Sequence, residues 1–344
     1  MAPQRDPAAD IVRRARRVRG DVQVAIRNWF LIALSAHRRR TLGGPIGGAL
    51  RYDALMSMPA NTVELSAAGQ RWPALGLGTW RLGESARTAD QEVGLLCRAL
   101  EVGYRLFDTA EMYGEGGAER VLGRALKQAL REPGLQRDTL RVVTKAYPHH
   151  GSVAGLRRAC DASRRRLQLD TIDLYLLHWR GDIALAETVH GFEQLQQRGW
   201  IRHWGVSNFD VDDLDQLSVL PGGQACASNQ VYYILSERGV EFDLLPRMRR
   251  WQMPLMAYCP IDGGRIARDV PLAELAAELN VSAVQLALAW LLHQPAVMVI
   301  PKAGSEAHLL ENWRSRDTPL PESVLVKLDS LFPPPTRRQR LAMR

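Results

Sequence analysis

From residue 60 onward, apolar and polar positions fall into two alternating rhythms. Thr62–Ser66 and Arg71–Leu75 alternate polar and apolar residues on either side of Ala67-Ala68-Gly69-Gln70, the pattern of a β-hairpin. Eight short apolar runs follow: Leu75–Trp80, Tyr104–Thr109, Leu140–Lys145, Ile172–His178, Ile201–Ser207, Cys226–Val231, Pro254–Tyr258 and Ala296–Pro301. Each has the length of a buried strand. Between them, segments such as Glu92–Val102, Ala118–Leu130, Ala154–Leu167 and Glu187–Gln197 carry apolar residues three and four apart, as amphipathic helices do. Ser282–Gln294 predicts an extra helix before the last strand, and Glu322–Leu331 a C-terminal one. Strand–helix alternation implies parallel pairing with helices outside the sheet. Eight units without a G-x-G-x-x-G fingerprint favour an α/β fold closed as a (β/α)8 TIM barrel, plugged by the N-terminal hairpin, over an open doubly wound sheet.

Length and composition are compatible with one large domain. The chain has 344 residues, and α/β barrels routinely exceed 200 in a single unit. The reading divides it into residues 1–57, an extension; 58–332, the barrel; and 333–344, a polar tail expected to be disordered. Cys97, Cys160, Cys226 and Cys259 lie far apart with no C-x-x-C, which excludes a zinc ribbon or disulfide framework and fits a reducing, cytoplasmic compartment. No metal site is expected.

Charge changes the picture only at one end. Residues 1–57 hold eleven arginines, four aspartates and no lysine, so they carry +7 of the chain's formal +8. The barrel region is therefore about neutral, and nucleic acid is not an expected partner. Within the extension, Val22–Leu34 is apolar but broken by Arg27, too short for a membrane span of about 20 residues. The main expectation is a disordered leader or a mis-annotated start ahead of Met56 or Met58. A transit peptide and a basic docking arm remain as alternatives.

Chemistry concentrates at three strand ends. Tyr104-Arg-Leu-Phe-Asp108 closes one apolar run on a carboxylate, and Tyr113 follows five residues later. Lys145 closes the next run after 37 residues, and His178 the one after that, 33 further on. Carboxyl ends of barrel strands are where such folds keep their reactive groups. Any one of these residues could simply cap a helix or pair with a neighbour; four at successive units favour a site. Carbonyl reduction needs a proton donor for oxygen and a hydride donor for carbon. A phenol against a lysine serves as the acid, an aspartate orients the lysine, and a histidine donates to the oxygen where charge develops.

Residues 60–332 resemble the aldo/keto reductase family. The resemblance rests on an ordered set: Gly76-Leu-Gly-Thr-Trp80, Phe107-Asp-Thr-Ala-Glu-Met-Tyr113, Lys145, Leu177-His178, Gly205-Val-Ser-Asn-Phe209, Asn229-Gln230, Ala257-Tyr-Cys-Pro-Ile261, Ile300-Pro-Lys302 and Glu311-Asn312. Gly116-Gly-Ala-Glu119 and Glu241-Phe-Asp-Leu-Leu-Pro246 make it most similar to bacterial members of methylglyoxal reductase type. The resemblance implies that Asp108, Tyr113, Lys145 and His178 are the catalytic tetrad, with Tyr113 the proton donor. It implies that Ser207, Asn208 and Gln230 hold the nicotinamide carboxamide and that Tyr258 stacks on its ring. Gly78, Thr79 and Trp80 are placed beside cofactor and substrate, Lys302 at the cofactor phosphates, and Glu311 and Asn312 at the adenine.

Two departures bear on the cofactor. Cys259 stands where the family has serine. After Lys302 come Ala303 instead of serine and, six residues on, His308 instead of arginine, with Ser305 between them. An arginine fork suits a 2′-phosphate better than a neutral imidazole, so NADPH is expected to be favoured modestly and NADH to be usable. Trp80, Tyr113, Tyr147 and Trp179 are expected to line an aromatic pocket for small or flat carbonyls, dicarbonyls and aromatic aldehydes among them. The short polar tail suggests no long C-terminal lid. The expected partner is a small carbonyl substrate rather than a membrane, and the expected state a monomer. Two other readings stay open: a cofactor-binding regulatory or redox-sensing subunit with little turnover, and NAD-linked alcohol oxidation.

Overall fold

The computed structural model of the protein describes residues 62–65 and 69–344. The extension 1–57, and the expectation of a disordered leader or misplaced start, lie outside the described residues. Strands β1 (Thr62–Leu65) and β2 (Gln70–Pro73) pair antiparallel with Val63 opposite Trp72, which is the predicted hairpin. Eight parallel strands follow: β3 (Leu77–Gly78), β4 (Leu106–Asp108), β5 (Arg141–Ala146), β6 (Ile172–Leu177), β7 (Ile201–Ser207), β8 (Asn229–Tyr232), β9 (Leu255–Tyr258) and β10 (Val297–Ile300). They pair in chain order. The first and last meet through Gly76 N–H donating to the Val299 carbonyl at 2.8 Å and Gly78 N–H to the Pro301 carbonyl at 3.0 Å. The barrel is closed.

Helices connect the strands: α1 (Ala89–Val102), α2 (Gly117–Ala129), α3 (Val153–Leu167), α4 (Leu185–Gln197), α5 (Val211–Ser218), α6 (Leu244–Arg250), α7 (Val270–Glu278) and α8 (Ala283–His293). After β10 come α9 (Glu306–Arg314) and α10 (Glu322–Leu331). Several start on side chains that satisfy otherwise orphaned backbone N–H groups. Ser152 caps α3, while Asp210 with Asp213 and Ser282 with Gln285 form capping boxes on α5 and α8. No single described helix is long and apolar enough to cross a membrane.

Strand parity decides what faces the barrel axis. Leu106, Val143, Leu174, Leu176, Met256, Met298 and Ile300 form an inner core with Trp72 and Leu65 of the hairpin. Phe107, Val142, Tyr175 and Leu177 pack outward beneath the helices. Side chains alternate along a strand, so Asp108 shares the inward side with Leu106, and Lys145 shares it with Val143. Trp72 is wholly buried, so the hairpin closes the bottom and leaves the carboxyl-terminal mouth for polar groups.

The structure shortens some predicted strands and corrects the tail. The first strand ends at Gly78 instead of Trp80, because Thr79 bonds back to the Asp108 carbonyl through both N–H and hydroxyl and Arg81 turns the chain at φ 66°. The predicted Cys226–Val231 strand begins only at Asn229, after the turn at Gly223–Ala225. Residues 333–344, expected to be disordered, are held by ion pairs across the mouth. Arg338 lies 3.0 Å from both Asp212 and Asp243, Arg344 lies 2.8 Å from Asp262, and Leu341 packs on the helical core. Composition alone read this segment as solvated because its acidic partners are about 80 to 130 residues away in sequence.

Candidate active site

The inward side chains of β4 and β5 meet at the floor of the mouth. Lys145 Nζ lies 2.7 and 2.9 Å from the two Asp108 carboxylate oxygens, 2.8 Å from the Thr109 carbonyl and 3.2 Å from the Tyr113 hydroxyl. These contacts give each of the three ammonium donors a partner. Gln230 Nε2 donates to Asp108 at 2.8 Å, which fixes the carboxylate from the far side. Tyr113 reaches the cluster because the β4–α2 loop turns sharply through left-handed Gly114, Glu115 and Gly116. The turn docks on the β3 loop so closely that a Cβ on Gly117 would lie 2.1 Å from the Gly83 carbonyl oxygen. His178 sits edge-on to the Tyr113 ring, centroids 5.9 Å apart, and its Nδ1 is buried without a hydrogen-bond partner.

Burial sets the proton affinities. It pushes the Asp108 carboxyl up and Lys145 down, with their mutual attraction opposing both shifts. Burial, helped by the nearby Asp108 and Cys259, drives the Tyr113 phenol well above its usual value. The phenol is therefore raised in spite of the adjacent lysine. The raised value keeps Tyr113 protonated and still acidic enough to protonate an alkoxide, which is a far stronger base. His178 is pushed down to about 3 by burial and then by Lys145, so it stays neutral near pH 7.

That neutrality has a measurable consequence. Between pH 6.5 and about 3 the unfolded chain binds a proton at this position and the folded chain does not, so stability falls as pH falls through that window. At pH 5 the loss from this one group is about 2 kcal/mol. His178→Gln is expected to flatten the acid limb of stability in urea titrations at pH 7 and 5. An unchanged slope would mean that the imidazole protonates in the folded state.

Above the floor lies a cavity of about 550 Å³, lined by Asp108, Tyr113 and His178 below and by Ser207, Asn208, Gln230 and Tyr258 on one wall. It adjoins a second cavity of about 680 Å³ that runs to His308, Glu311 and Asn312. Trp80, Arg81, Cys259, Gly263 and Lys302 line both. Asn208, at a left-handed φ of 59°, donates to the His178 carbonyl and to Ser207, and accepts from the Tyr258 hydroxyl at 2.9 Å. At the far end the Asn312 amide nitrogen is buried without an acceptor, which a ring nitrogen of a bound base would supply. The two cavities together form a long channel with one cation-rich constriction, a shape that fits a dinucleotide.

Not every predicted residue reaches this channel. Thr79 is fully buried and spent on the Asp108 carbonyl. Ser305 does not line either cavity, and its hydroxyl caps α9 by accepting from the His308 N–H. Tyr147 and Trp179 pack edge-to-face on each other, with centroids 6.1 Å apart, beside the cavity instead of in its wall. Trp80, 47% exposed, does line it. Sequence reasoning missed Arg81, Met112, Asp262, Arg265 and Arg344, all of which line the nicotinamide-sized end. Met112 lies inside a motif already singled out and Arg81 directly follows one, whereas no local signal marks Arg344. Among the described residues, no group of three or more His, Cys, Asp or Glu is placed to hold a metal ion.

Comparison with known proteins agrees with this geometry. The chain is 44% identical over 276 residues to methylglyoxal reductase YeaE of Escherichia coli (strain K12), covering 79% of this chain and 95% of that protein. It is 31% identical over 267 residues to glyoxal reductase of Bacillus subtilis (strain 168), covering 76% and 90%. Its fold is similar to that of an aldo/keto reductase from Klebsiella pneumoniae crystallised with NADP and acetate. There the TM-score is 0.78 at 42% identity, over 83% of this chain and 99% of that one. The aldo/keto reductase family profile matches residues 74–332. With that match added to the closed barrel and the Asp108–Lys145–Tyr113 cluster at its mouth, the chain belongs to the aldo/keto reductase family.

Proposed function

We propose that the protein reduces small aldehydes and ketones, dicarbonyls such as methylglyoxal and aromatic aldehydes among them, with NADPH as the preferred reductant. The observation that carries this reading is the Tyr113 hydroxyl, held 3.2 Å from Lys145 at the floor of two adjoining cavities of about 550 and 680 Å³. The relatives named above are reductases, which favours this reading over a regulatory subunit or NAD-linked alcohol oxidation.

NADPH held in this channel would supply the hydride for the carbonyl carbon. Tyr113 gives its hydroxyl proton to the carbonyl oxygen, and the neutral His178 imidazole donates a hydrogen bond to that oxygen as charge builds there. Lys145, held by Asp108, stabilises the phenolate left behind until a solvent proton restores it. One carbonyl, one NADPH and one proton thus yield one alcohol and one NADP+. On this reading Ser207, Asn208 and Gln230 would bind the carboxamide, Tyr258 would stack on the ring, Lys302 would meet phosphate, and Glu311 with Asn312 would hold the adenine, all of them lining the two cavities. Cys259 lines the channel at the constriction, where its thiol is a weak hydrogen-bond donor.

Steady-state rates with methylglyoxal, phenylglyoxal and nitrobenzaldehydes, each with NADPH and NADH, test the reading. Saturable turnover with NADPH is expected for several of them. NADPH binding without turnover on any would favour the regulatory alternative.

His308 lies along the channel where the family has arginine. His308→Arg is expected to tighten NADPH by about 1–2 kcal/mol through a charge-assisted bond to the 2′-phosphate, roughly tenfold in Kd, with little change for NADH. An unchanged NADPH Kd in fluorescence titration would place His308 away from that phosphate. A reducing compartment is supported by four free cysteines. A monomer in the cytoplasm is part of this proposal, which gel filtration and fractionation would check.

A further inference from the structure

The tail ends against the wall that carries the nicotinamide residues. The Arg344 backbone N–H donates to the Tyr258 hydroxyl at 3.2 Å, and that hydroxyl donates to Asn208 Oδ1 at 2.9 Å. Asn208 in turn holds the His178 carbonyl and Ser207, Ser207 donates to the Gln230 carbonyl, and Gln230 donates to Asp108. A continuous hydrogen-bonded path therefore runs from the tail to the catalytic carboxylate. The Arg344 side chain makes a second attachment. Its Nη2 lies 2.8 Å from Asp262, while its guanidinium lies over the Tyr232 ring at 5.7 Å. Asp262 sits at a left-handed φ of 49°, in the turn that follows β9, and also binds Arg265 at 2.8 Å and the Tyr232 hydroxyl at 3.3 Å. This turn carries Cys259 and Gly263, which flank the constriction shared by the two cavities.

We propose that Arg344 is a positioning residue for cofactor retention: by pairing with Asp262 it fastens the post-β9 turn over the channel, and by its backbone N–H it fixes the Tyr258 ring. The inference rests on the reading of this channel as the NADPH site. A tail docked in this way is a strap, and cofactor release is faster when the Arg344–Asp262 pair is open. The pair is partly exposed, with Arg344 at 44% and Asp262 at 16% side-chain exposure, so its effect is moderate, not absolute.

Stopped-flow release of NADPH, followed by its fluorescence, tests this directly. Arg344→Gln keeps the backbone N–H and removes the charge, and is expected to speed release about fivefold, with Arg344→Lys recovering part of the difference. In an Asp262→Asn background, Arg344→Gln is expected to add nothing, because its partner is already gone. A general loss of packing would instead add to the Asp262→Asn effect and would not be rescued by lysine. Unchanged release in Arg344→Gln, or additive effects in the double variant, overturns the proposal. If the parent protein shows no NADPH fluorescence change at all, it is the assignment of the channel that fails.

Discussion

Tyr113→Phe is expected to cut kcat by at least about 10², the scale of a positioned proton donor, while the Kd for NADPH changes little. The substitution removes one oxygen and keeps the ring, which packs against His178 and lies 4.9 Å from Lys145 Nζ. Cavity shape survives, so the loss reports chemistry instead of binding. Because the phenol stays protonated well into alkaline pH, reduction by the parent is expected to be flat from about pH 6 to 9. Near-normal kcat in Tyr113→Phe would rule out this donor.

Lys145→Met is expected to lower kcat by at least about 10² and to destabilise the fold as well. It strands the Asp108 carboxylate, 2% exposed, without its counter-ion. Breaking a buried pair from one side costs about 3–5 kcal/mol, whereas replacing both partners by neutral groups costs much less. The double variant Asp108→Asn/Lys145→Met is therefore expected to recover most of the lost Tm but none of the lost turnover. Recovery of both would mean that the pair acts on folding alone. Failure to recover Tm would mean that the loss comes from the lysine's other contacts, at Thr109 and Tyr113.

The barrel was legible in the sequence because strand and helix periods alternate cleanly, and the floor of the site was legible through parity. Asp108 and Lys145 each lie two residues beyond an inward apolar side chain, Leu106 and Val143, so both had to reach the axis. Tyr113 needed more, since its approach depends on three consecutive left-handed residues that only the Gly114-Glu-Gly116 sequence hints at. Thr79 and Ser305 were misread for a common reason. Both hydroxyls sit beside cavity-lining residues, but each is consumed by a backbone partner that spacing alone does not reveal, the Asp108 carbonyl of the neighbouring strand for Thr79 and the His308 N–H for Ser305. The tail was misread for the opposite reason. Its arginines look solvated in sequence, yet Arg338 and Arg344 meet aspartates in the first turn of α5 and in the segments after β8 and β9, which only the closed barrel brings together.

The central claim is that one hydride moves from the nicotinamide to a carbonyl carbon held over Asp108, Lys145, Tyr113 and His178. Its most direct test is a single turnover of phenylglyoxal with NADPH carrying deuterium at the transferred C4 position, with the product alcohol read by mass spectrometry. The account predicts one deuterium on the new carbinol carbon in the parent protein, with Tyr113→Phe slowing its appearance by at least about 10². Alcohol without deuterium, or an equal rate in the variant, would contradict it.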